Sequence, residues 1–585
     1  MYYPLTNAFE LAQGLALFDY DSHETLAWQL QRRAATHPDD AFLLFEDERY
    51  RYAEANAAIN RYVHGYRTLG IGKDDVVALV MDNRPEFLWH LFALHKLGAV
   101  ASLINTNLQG EPLAHALRIC HPRHIVVSSE IFPQLASVRE RLEAGVTIDV
   151  DVDPRVAGRV LEAPSWLERI RGAGIGDPPE TGQHNLSDLA AFIYTSGTTG
   201  LPKAAIVRHH RMYRAGRVWA GLAFSFHSGQ VLYNCLPMYH ANAALLATGS
   251  VISAGVTMAL SRKFSRTRFW DEIRKHDAQR FIYIGELCRY LMNNDPSPRD
   301  REHRVRVISG NGLRPDIWRS FQRRFGLRRI VEFYGATEGN CITLNVFGVA
   351  GSVGPQLSGM SLARWDNERD DFVRDARGRL IRAHTNEPGV LLGRIRRHAE
   401  FDGYGDKSAS ESKVVRDAFE EGDAWFNTGD LLRRDRLHHL HFVDRLGDTY
   451  RWKGENVATS EVQEQLSQWP AVREVSVYGV SVPGAEGRAG MAAMVLADGQ
   501  PFDPVGLSRH VETHLPAYAR PRFLRLMPKL GTTSTFKLKK NELQNDGYDP
   551  SKLQDPLYVL DPKQGQYVSL TPALYDELSN GRMSL

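Results

Sequence analysis

The segment 194–203, YTSGTTGLPK, combines the residue types that hold a chain of phosphate groups. Its two glycines let the backbone curl, so that successive N–H groups converge on an anion. Four hydroxyl side chains add hydrogen-bond donors, and a lysine adds a positive charge. The spacing differs from the G-x-x-x-x-G-K-[ST] pattern of a Walker loop. We therefore predict a non-Walker triphosphate loop with the contacts Thr195, Ser196, Gly197, Thr198, Thr199, Gly200 and Lys203.

The elements that position this loop alternate between strand and helix. The apolar run 189–194, LAAFIY, predicts a strand that leads directly into the loop. Pro85 suits the first turn of a helix and Gly98 its end. Upstream, strands are predicted at 76–81, 99–104 and 124–129, and helices at 85–98 and 112–119. This rhythm indicates an α/β fold with a mostly parallel sheet covered by helices.

The C-terminal part of the chain has a different pattern. Ser460 and Gln463 have the spacing of a capping box at the start of a helix. Strands are predicted at 472–482 and 491–497, and a helix at 505–515. Because the chain has 585 residues, more than one domain is expected, and this pattern indicates a separate α+β lobe.

Composition excludes several classes of protein. The net charge of +2 does not favour a nucleic-acid partner, and 43% hydrophobic residues are ordinary for a soluble globular chain. The stretch Ala241–Leu260 carries no charge, but its polar and glycine residues favour a buried helix and strand over a membrane span. The N-terminus lacks the pattern of a signal peptide. Scattered cysteines without zinc spacing indicate a reducing, cytoplasmic setting: Cys120, Cys235, Cys288 and Cys341.

The loop YTSGTTGLPK is similar to the phosphate loop of the adenylate-forming superfamily. Further segments resemble the fatty acid transport protein and very-long-chain acyl-CoA synthetase family within it. They are INTNLQGEPLAHAL (104–117), YIGELCRYL (283–291), SGNGLRPDIW (309–318), EFYGATEGN (332–340), WFNTGDLL (425–432), DRLGDTYRWKGENVATSEV (444–462), VPGAEGRAGMAA (482–493) and DPLYVL (555–560). The resemblance implies a large, multi-sheet N-terminal domain at 1–446 and a small, mobile α+β C-terminal domain at 447–585, with Gly447 at the hinge.

The resemblance also assigns roles to individual residues around the nucleotide. Thr337 and Glu338 align with the family's contacts to phosphate and Mg²⁺, and Thr198 joins Glu338 at the metal. Asp430 matches an acceptor for the ribose hydroxyls, and Arg445 a second nucleotide contact. The implied adenine pocket consists of Gly310, Asn311, Gly312, Tyr334 and Gly335.

Two further sites follow from the same resemblance. His240 matches a position beside the acyl pocket, and Trp452, Lys453 and Gly454 lie along the segment that admits coenzyme A. Lys537 in TSTFKLKK is implied as the catalytic lysine, because Thr533, Thr535, Phe536 and Lys540 complete the family's T-x-T-F-K-x-x-K pattern. Lys539 and Lys540 compete with Lys537 for that assignment.

The implied function is that of an ATP-dependent acyl-CoA ligase, which converts a hydrophobic acid to its CoA thioester through an acyl-AMP. ATP, Mg²⁺ and coenzyme A are the implied cofactors. Two alternatives stay open: an enzyme of one half-reaction only, and a lipid-binding or transport protein. Neither nucleic acid nor an integral membrane segment is expected, whereas peripheral membrane contact is left open. The acid, the oligomeric state and the base that activates the CoA thiol cannot be inferred from the sequence.

Overall fold

The computed structural model describes residues 19–155, 164–196, 201–366, 369–396, 399–452, 455–483, 487–531, 540–580, 582–583 and 585. The chain divides into two compact units. The first comprises Met1–Gly354 and Ile395–Val414, and the second comprises Pro355–Arg394 and Val415–Leu585. The fold is mixed α/β, as the sequence predicts.

A six-stranded sheet in the first unit leads into the predicted phosphate loop. Its strands, in spatial order, are Thr147–Asp151, His124–Ser128, Val76–Val80, Val100–Leu103, Leu189–Ser196 and Pro202–Arg208. The first five are parallel and the last is antiparallel. The inner strands, such as Val76–Val80, have almost continuous apolar sequences, which suit strands that are buried on both faces. The predicted mostly parallel sheet is confirmed.

The helix Pro85–Leu97 shows how local sequence sets these elements. Pro85 occupies the first turn, where a missing N–H is tolerated, and all thirteen residues of the helix are buried. Gly98 follows with φ at 70°, a left-handed conformation that favours glycine and ends the helix. The chain then enters the strand Val100–Leu103, as predicted.

A second sheet of eight strands also lies in the first unit. In spatial order its strands are Ile342–Leu344, Arg329–Gly335, Val307–Asn311, Arg280–Ile284, Val231–Asn234, Thr257–Leu260, Ala41–Phe45 and Glu48–Arg51. The six inner strands are parallel and the two edge strands are antiparallel. Loops that follow the parallel strands therefore meet at one edge, where α/β folds bind ligands.

Helices surround the two sheets of the first unit. The α-helices are Leu26–Thr36, Tyr52–Thr68, Pro85–Leu97, Gly110–Arg118, Phe132–Ala136, Trp166–Arg169, His209–Val218, Thr248–Ala254, Phe269–Lys275, Gly285–Met292, Pro315–Arg324 and Lys407–Glu411. Trp219–Ala223 and Asn242–Ala247 are π-helical. The 3₁₀ turns are Arg139–Arg141, Pro179–Gln183 and Pro298–Arg301.

The uncharged stretch Ala241–Leu260 is an interior segment of the first unit. It contains the π-helical turn Asn242–Ala247, the helix Thr248–Ala254 and the strand Thr257–Leu260, and most of its residues are buried. The prediction of a buried helix followed by a strand is confirmed. Across the described residues, no helix has the length and apolar character that a membrane crossing requires.

The second unit contains an antiparallel sheet and a mixed sheet. The antiparallel strands are Met360–Ala363, Pro388–Arg394, Ala424–Arg434 and His439–Arg445. The mixed sheet consists of Val472–Ser481, Arg488–Leu496, Phe523–Leu526, Leu557–Asp561 and Gln566–Ser569. Its helices are Thr459–Ser467, Pro504–His514, Lys540–Asp546 and Pro572–Ser579. The remaining short strands are Gly354–Pro355, Trp365–Asp366, Asp371–Phe372, Val414–Arg416, Tyr450–Trp452 and Glu455–Val457.

Two apolar cores lie within this second unit. One extends from Ala363 to Leu446, and the other from Tyr450 to Leu585. The predicted domain boundary after residue 446 falls between these cores, although the division into units places both cores in one unit. The boundary therefore remains a prediction, and the separate cores support it.

The predicted capping box at Ser460 and Gln463 is wrong. The helix begins at Thr459, one residue earlier, and its Ala458 cap residue makes no side-chain bond. Asp444 caps it instead: one carboxylate oxygen accepts from the backbone N–H of Thr459 at 2.6 Å and from its hydroxyl at 3.0 Å. The hydroxyl of Ser460 donates to the carbonyl oxygen of Val443. A cap supplied from fifteen residues upstream leaves no local sequence signal.

Lys96 is a fully buried lysine whose ammonium is surrounded by oxygen atoms. It donates to amide oxygens of Gln31, Asn56 and Asn60 at 2.7–2.8 Å. A carboxylate oxygen of Asp177 lies 3.4 Å away. Burial lowers the pKa of Lys96 to about 8. The ammonium therefore ties two N-terminal helices to the loop that contains Asp177.

We expect Lys96→Met to lower the free energy of unfolding by about 3 kcal/mol, because three amide oxygens each lose a bond worth about 1 kcal/mol. Lys73→Met is the control: Lys73 is half exposed and pairs with Asp188 at 3.2 Å. Its removal costs less than about 1 kcal/mol. Urea unfolding monitored by tryptophan fluorescence measures both. Equal shifts for the two variants would contradict this account of Lys96.

Candidate active site

Tyr404 is the point at which three predicted site residues meet. Its hydroxyl donates to Oε1 of Glu338 at 2.8 Å, and the ammonium of Lys203 lies 5.5 Å from the centre of its ring. The side chain of Thr195 also lies near the hydroxyl of Tyr404, where it acts to lower the pKa of that hydroxyl. Burial, with Glu338 second, raises the pKa of Tyr404 well above its usual value, so the hydroxyl stays protonated and continues to donate.

Backbone pairing places Tyr404 beside the phosphate loop. The N–H of Ile206 donates to Gly403 at 3.0 Å, and the N–H of Gly405 donates to Ala204 at 2.9 Å. The strand register sets Thr195 opposite Lys203. The remaining predicted loop residues lie outside the described residues: Gly197, Thr198, Thr199, Gly200 and the side chain of Ser196. Tyr404 was missed by the sequence analysis, because no local pattern links it to a loop two hundred residues upstream.

The predicted phosphate and metal residues follow the strand Arg329–Gly335. Thr337 and Glu338 are half-buried, and Gly335 is exposed. Two long-range bonds hold this loop: the guanidinium of Arg211 donates to Gly339 O at 2.9 Å, and Asn340 Nδ2 donates to Ala399 O at 2.9 Å. The carboxylate of Glu338 is thereby presented from a fixed backbone.

The predicted adenine residues lie at the ends of two adjacent strands: Gly310 and Asn311 end the strand Val307–Asn311, and Gly312 turns the chain after it. Gly312 has φ at +83°, which glycine adopts without strain. Its carbonyl oxygen would lie 1.6 Å from a Cβ at Gly285, so the neighbouring helix can approach only because residue 285 is glycine. The amide of Asn242 donates to Asn311 Oδ1 at 2.9 Å. Tyr334, on the adjacent strand, is 7% exposed.

Glu332 holds this turn through a hydrogen bond, and the sequence analysis did not predict this role. Tyr283, Gly310 and Glu332 lie in one row across three strands. The glycine leaves room for the tyrosine hydroxyl to reach across and donate to the carboxylate. The other carboxylate oxygen accepts from the N–H of Leu313 at 3.0 Å. Burial raises the pKa of Glu332 to about 8. The only sequence signal was its place in EFYGATEGN.

His240 lies between the strand Val231–Asn234 and the π-helical turn Asn242–Ala247. Its carbonyl oxygen accepts from Ala244 N at 2.9 Å and begins that turn. Its ring lies 4.7 Å from that of Tyr239, centre to centre. π-helical turns are rare and are often found at functional sites.

In the second unit, the structure brings together two residues predicted to contact the nucleotide, of which Asp430 is the predicted ribose acceptor. Asp430 and Arg445 are opposite one another on antiparallel strands. The guanidinium Nε lies 3.2 Å from a carboxylate oxygen of Asp430. The Arg445 side chain is 51% exposed, so it is accessible from solvent.

Other predicted residues of this unit are only partly described. The indole of Trp452 is 1% exposed and lies within the C-terminal core. If Trp452 contacts coenzyme A as predicted, the contact is therefore made by its backbone. Lys453, Gly454 and Lys537 lie outside the described residues. The ammonium of Lys540 donates to Thr459 Oγ1 at 2.8 Å and lies 3.4 Å from Asp448 Oδ2.

Comparison with protein families identifies the chain. The model of AMP-binding enzymes matches residues 30–391, and that of the AMP-binding enzyme C-terminal domain matches residues 461–537. The chain belongs to the AMP-binding enzyme family. The resemblance stated from the sequence is thereby confirmed.

Relatives of this AMP-binding enzyme cover nearly its whole length. It is 43% identical to the medium/long-chain-fatty-acid–CoA ligase FadD6 of Mycobacterium tuberculosis (strain ATCC 25618 / H37Rv), over 96% of this chain and 92% of the relative. It is 39% identical to long-chain fatty acid transport protein 1 of Homo sapiens, over 92% and 84%. The enzyme is thus an adenylate-forming acyl-CoA synthetase.

Solved structures confirm the fold of the enzyme. The anthranilate CoA ligase AuaEII in complex with anthranoyl-AMP matches with a TM-score of 0.78 at 20% identity, over 92% of this chain and 100% of that one. ATP-bound MatB from Rhodopseudomonas palustris matches with a TM-score of 0.74 at 23% identity, over 89% and 98%.

The enzyme offers a suitable carboxylate for Mg²⁺ at Glu338. The hydroxyl of Tyr404 donates to Oε1 of Glu338, and Oε2 of Glu338 accepts no hydrogen bond from the described residues. Mg²⁺ commonly takes one or two carboxylates and completes its shell with water and substrate phosphates, so a single glutamate fits.

A second group of possible ligands does not suit this role. His210, Glu400 and Asp402 are the one cluster of three such side chains that the described residues contain. Asp402 already pairs with Arg208 at 2.8 Å. Burial and nearby arginines lower the pKa of His210 to about 3, because they disfavour a positive charge there.

Proposed function

We propose that the enzyme converts a hydrophobic carboxylic acid, of long-chain fatty or bulky alicyclic type, to its CoA thioester by carrying out both half-reactions. The relatives named as medium- and long-chain fatty-acid ligase and as fatty acid transport proteins support this substrate class. The observation that carries the catalytic assignment is the convergence of Thr195, Lys203 and Glu338 on Tyr404.

The first half-reaction makes the acid electrophilic. A carboxylate oxygen attacks the α-phosphorus of ATP, the bond to the β-phosphate breaks, and pyrophosphate leaves. Lys203, Lys537 and the N–H groups of the phosphate loop offset the charge on the phosphates. Bound Mg²⁺, held by Glu338 with Thr198, would add charge compensation. Asp430 accepts from the ribose hydroxyls, Arg445 makes a second contact to the nucleotide, and the turn Gly310–Gly312 with Tyr334 holds adenine.

The second half-reaction transfers the acyl group. The CoA sulfur attacks the carbonyl carbon of acyl-AMP, the C–O bond breaks, and AMP leaves with the oxygen. The thiol proton is released to solvent or to AMP. In this proposal Lys537 withdraws between the steps and Gly447 provides the bend. The segment from Trp452 to Gly454 then lines the path of pantetheine.

A screen of carboxylic acids of graded length and shape tests this proposal. Pyrophosphate release and acyl-CoA formation are measured for each acid with ATP, magnesium and CoA. We expect both products, in equal amounts, with long-chain or bulky acids. Pyrophosphate without acyl-CoA would show an enzyme of one half-reaction, and no product with any acid would contradict the proposal.

We expect Glu338→Gln to raise the magnesium concentration for half-maximal pyrophosphate exchange by about tenfold, equivalent to about 1.4 kcal/mol. The amide keeps the shape and the bond from Tyr404 but loses the charge that attracts the cation. Glu272→Gln is a matched control, because Glu272 accepts from Tyr233 at 2.7 Å outside the predicted site. An unchanged magnesium titration for Glu338→Gln would refute the assignment.

A further inference from the structure

Asn83 connects the two sheets of the first unit at the loop that carries His240. It follows the strand Val76–Val80 of the six-stranded sheet and is 3% exposed. Its Nδ2 donates to the carbonyl oxygens of Leu236 and Ser261, both at 2.9 Å. Its Oδ1 accepts from the N–H of Met238 at 2.8 Å. Leu236 and Ser261 follow strands of the eight-stranded sheet, so one amide group joins three chain segments.

Further contacts also restrict the loop from Leu236 to His240. Asn107, in the turn that follows the strand Val100–Leu103 of the six-stranded sheet, donates to the hydroxyl of Tyr239 at 3.0 Å. The N–H of His240 donates to Pro237 O at 3.1 Å. Immediately after His240 comes the π-helical turn Asn242–Ala247. The backbone on both sides of the histidine is therefore held in place, and two of the contacts come from Asn83 and Asn107, in loops that follow strands of the six-stranded sheet.

We propose that Asn83 is a positioning residue for His240, which it holds at the acyl side of the active site. This inference rests on the proposed function, in which His240 lies beside the acyl group. The side-chain amide of Asn83 makes three hydrogen bonds to buried backbone groups, two as donor and one as acceptor. Leaving such buried groups without a partner is unfavourable. Without the Asn83 amide, the loop becomes more mobile, and His240 is no longer held beside the acyl group. The adenine turn has its own support from Glu332 and Tyr283. Asn242, two residues after His240, also contacts Asn311 of that turn, so we expect a smaller effect on nucleotide binding than on the acyl side.

A double-mutant cycle between Asn83 and His240 tests the inference. We expect Asn83→Ala to raise KM for the acid and to slow thioester formation from supplied acyl-AMP by about tenfold each, with KM for ATP changed by less than about threefold. In a His240→Ala background, Asn83→Ala should change these values less than about twofold, since its effect acts through the histidine. Equal effects in both backgrounds, or an equal rise in KM for ATP, would overturn the proposal.

Two further variants separate positioning from general stability. Asn345 makes the same three bonds, to Val349 O, Ser352 O and Val349 N, and is fully buried. Asn345→Ala should lower stability without changing either acyl-dependent constant. The exposed Asn107 offers a variant expected to fold, and Asn107→Ala should shift the same constants in the same direction by about threefold. No shift with Asn107→Ala, or the full pattern with Asn345→Ala, would overturn the proposal. The parent chain's own product formation tests the proposed function, so the two can fail separately.

Discussion

Lys537→Ala should slow adenylation by a hundredfold or more, about 3 kcal/mol, and leave thioester formation from supplied acyl-AMP intact. The ammonium offsets charge that develops when the carboxylate approaches the α-phosphate. The second half-reaction takes place at the carbonyl carbon instead of the α-phosphorus, and in the proposed function Lys537 has withdrawn before it. Pyrophosphate exchange measures the first step, and CoA consumption with synthetic acyl-AMP measures the second.

Lys539→Ala and Lys540→Ala are the controls, because both lysines lie in the same segment. Lys540 has another use: its ammonium donates to Thr459, whose N–H and hydroxyl are held by Asp444. Its replacement should reduce stability more than adenylation. If Lys540→Ala removed adenylation while Lys537→Ala retained it, the catalytic assignment would move to Lys540. Equal loss of both half-reactions in a folded Lys537→Ala enzyme would contradict the role.

Gly447→Pro should fold, adenylate at near the parental rate, and form acyl-CoA roughly a hundredfold more slowly, about 2.7 kcal/mol, so that acyl-AMP accumulates. One nucleotide pocket cannot present a lysine and a thiol to the same carbonyl group at once. The chain must therefore bend between the steps. Proline fixes φ near −65° and restricts Leu446 before it.

Gly447→Ala is the matched control for this prediction. A Cβ at Gly447 has no heavy atom within 4 Å, and φ lies outside the left-handed region. The conformation described here therefore does not require glycine, and alanine should be tolerated with a change of about threefold or less. Single-turnover assays of each half-reaction measure both variants. Parental thioester formation in Gly447→Pro would remove Gly447 as the hinge.

Elements with a strong local pattern could be predicted from the sequence. The helix at Pro85–Leu97 has proline at its start and glycine at its end, and the strands on both sides are nearly continuous apolar runs. The uncharged Ala241–Leu260 contains enough polar and glycine residues to argue against a membrane span. The helix at Thr459 shows where local patterns fail, since its cap comes from Asp444 by a contact that only the tertiary structure creates.

The same distinction between local patterns and tertiary contacts applies to the residues of the candidate site. The motif EFYGATEGN predicts a role for Glu338, because its residue types stand at the spacing of a known family motif. Tyr404, Glu332 and Asn83 could not be identified, because each acts through partners that are distant in the chain: Tyr404 on Glu338, Glu332 on Leu313 and Asn83 on Met238. A single sequence does not record such pairings.

The formation of an acyl-adenylate is the central claim, and oxygen-18 transfer tests it directly. A long-chain acid labelled in both carboxylate oxygens is incubated with the enzyme, ATP, magnesium and CoA, and the products are analysed by mass spectrometry. We predict one labelled oxygen in AMP for each acyl-CoA formed, because the carboxylate oxygen that attacks the α-phosphorus leaves with AMP. Labelled inorganic phosphate with ADP in place of AMP would contradict the account, since it would place the attack on the γ-phosphorus. Unlabelled AMP with labelled pyrophosphate would also contradict it, since it would place the attack on the β-phosphorus.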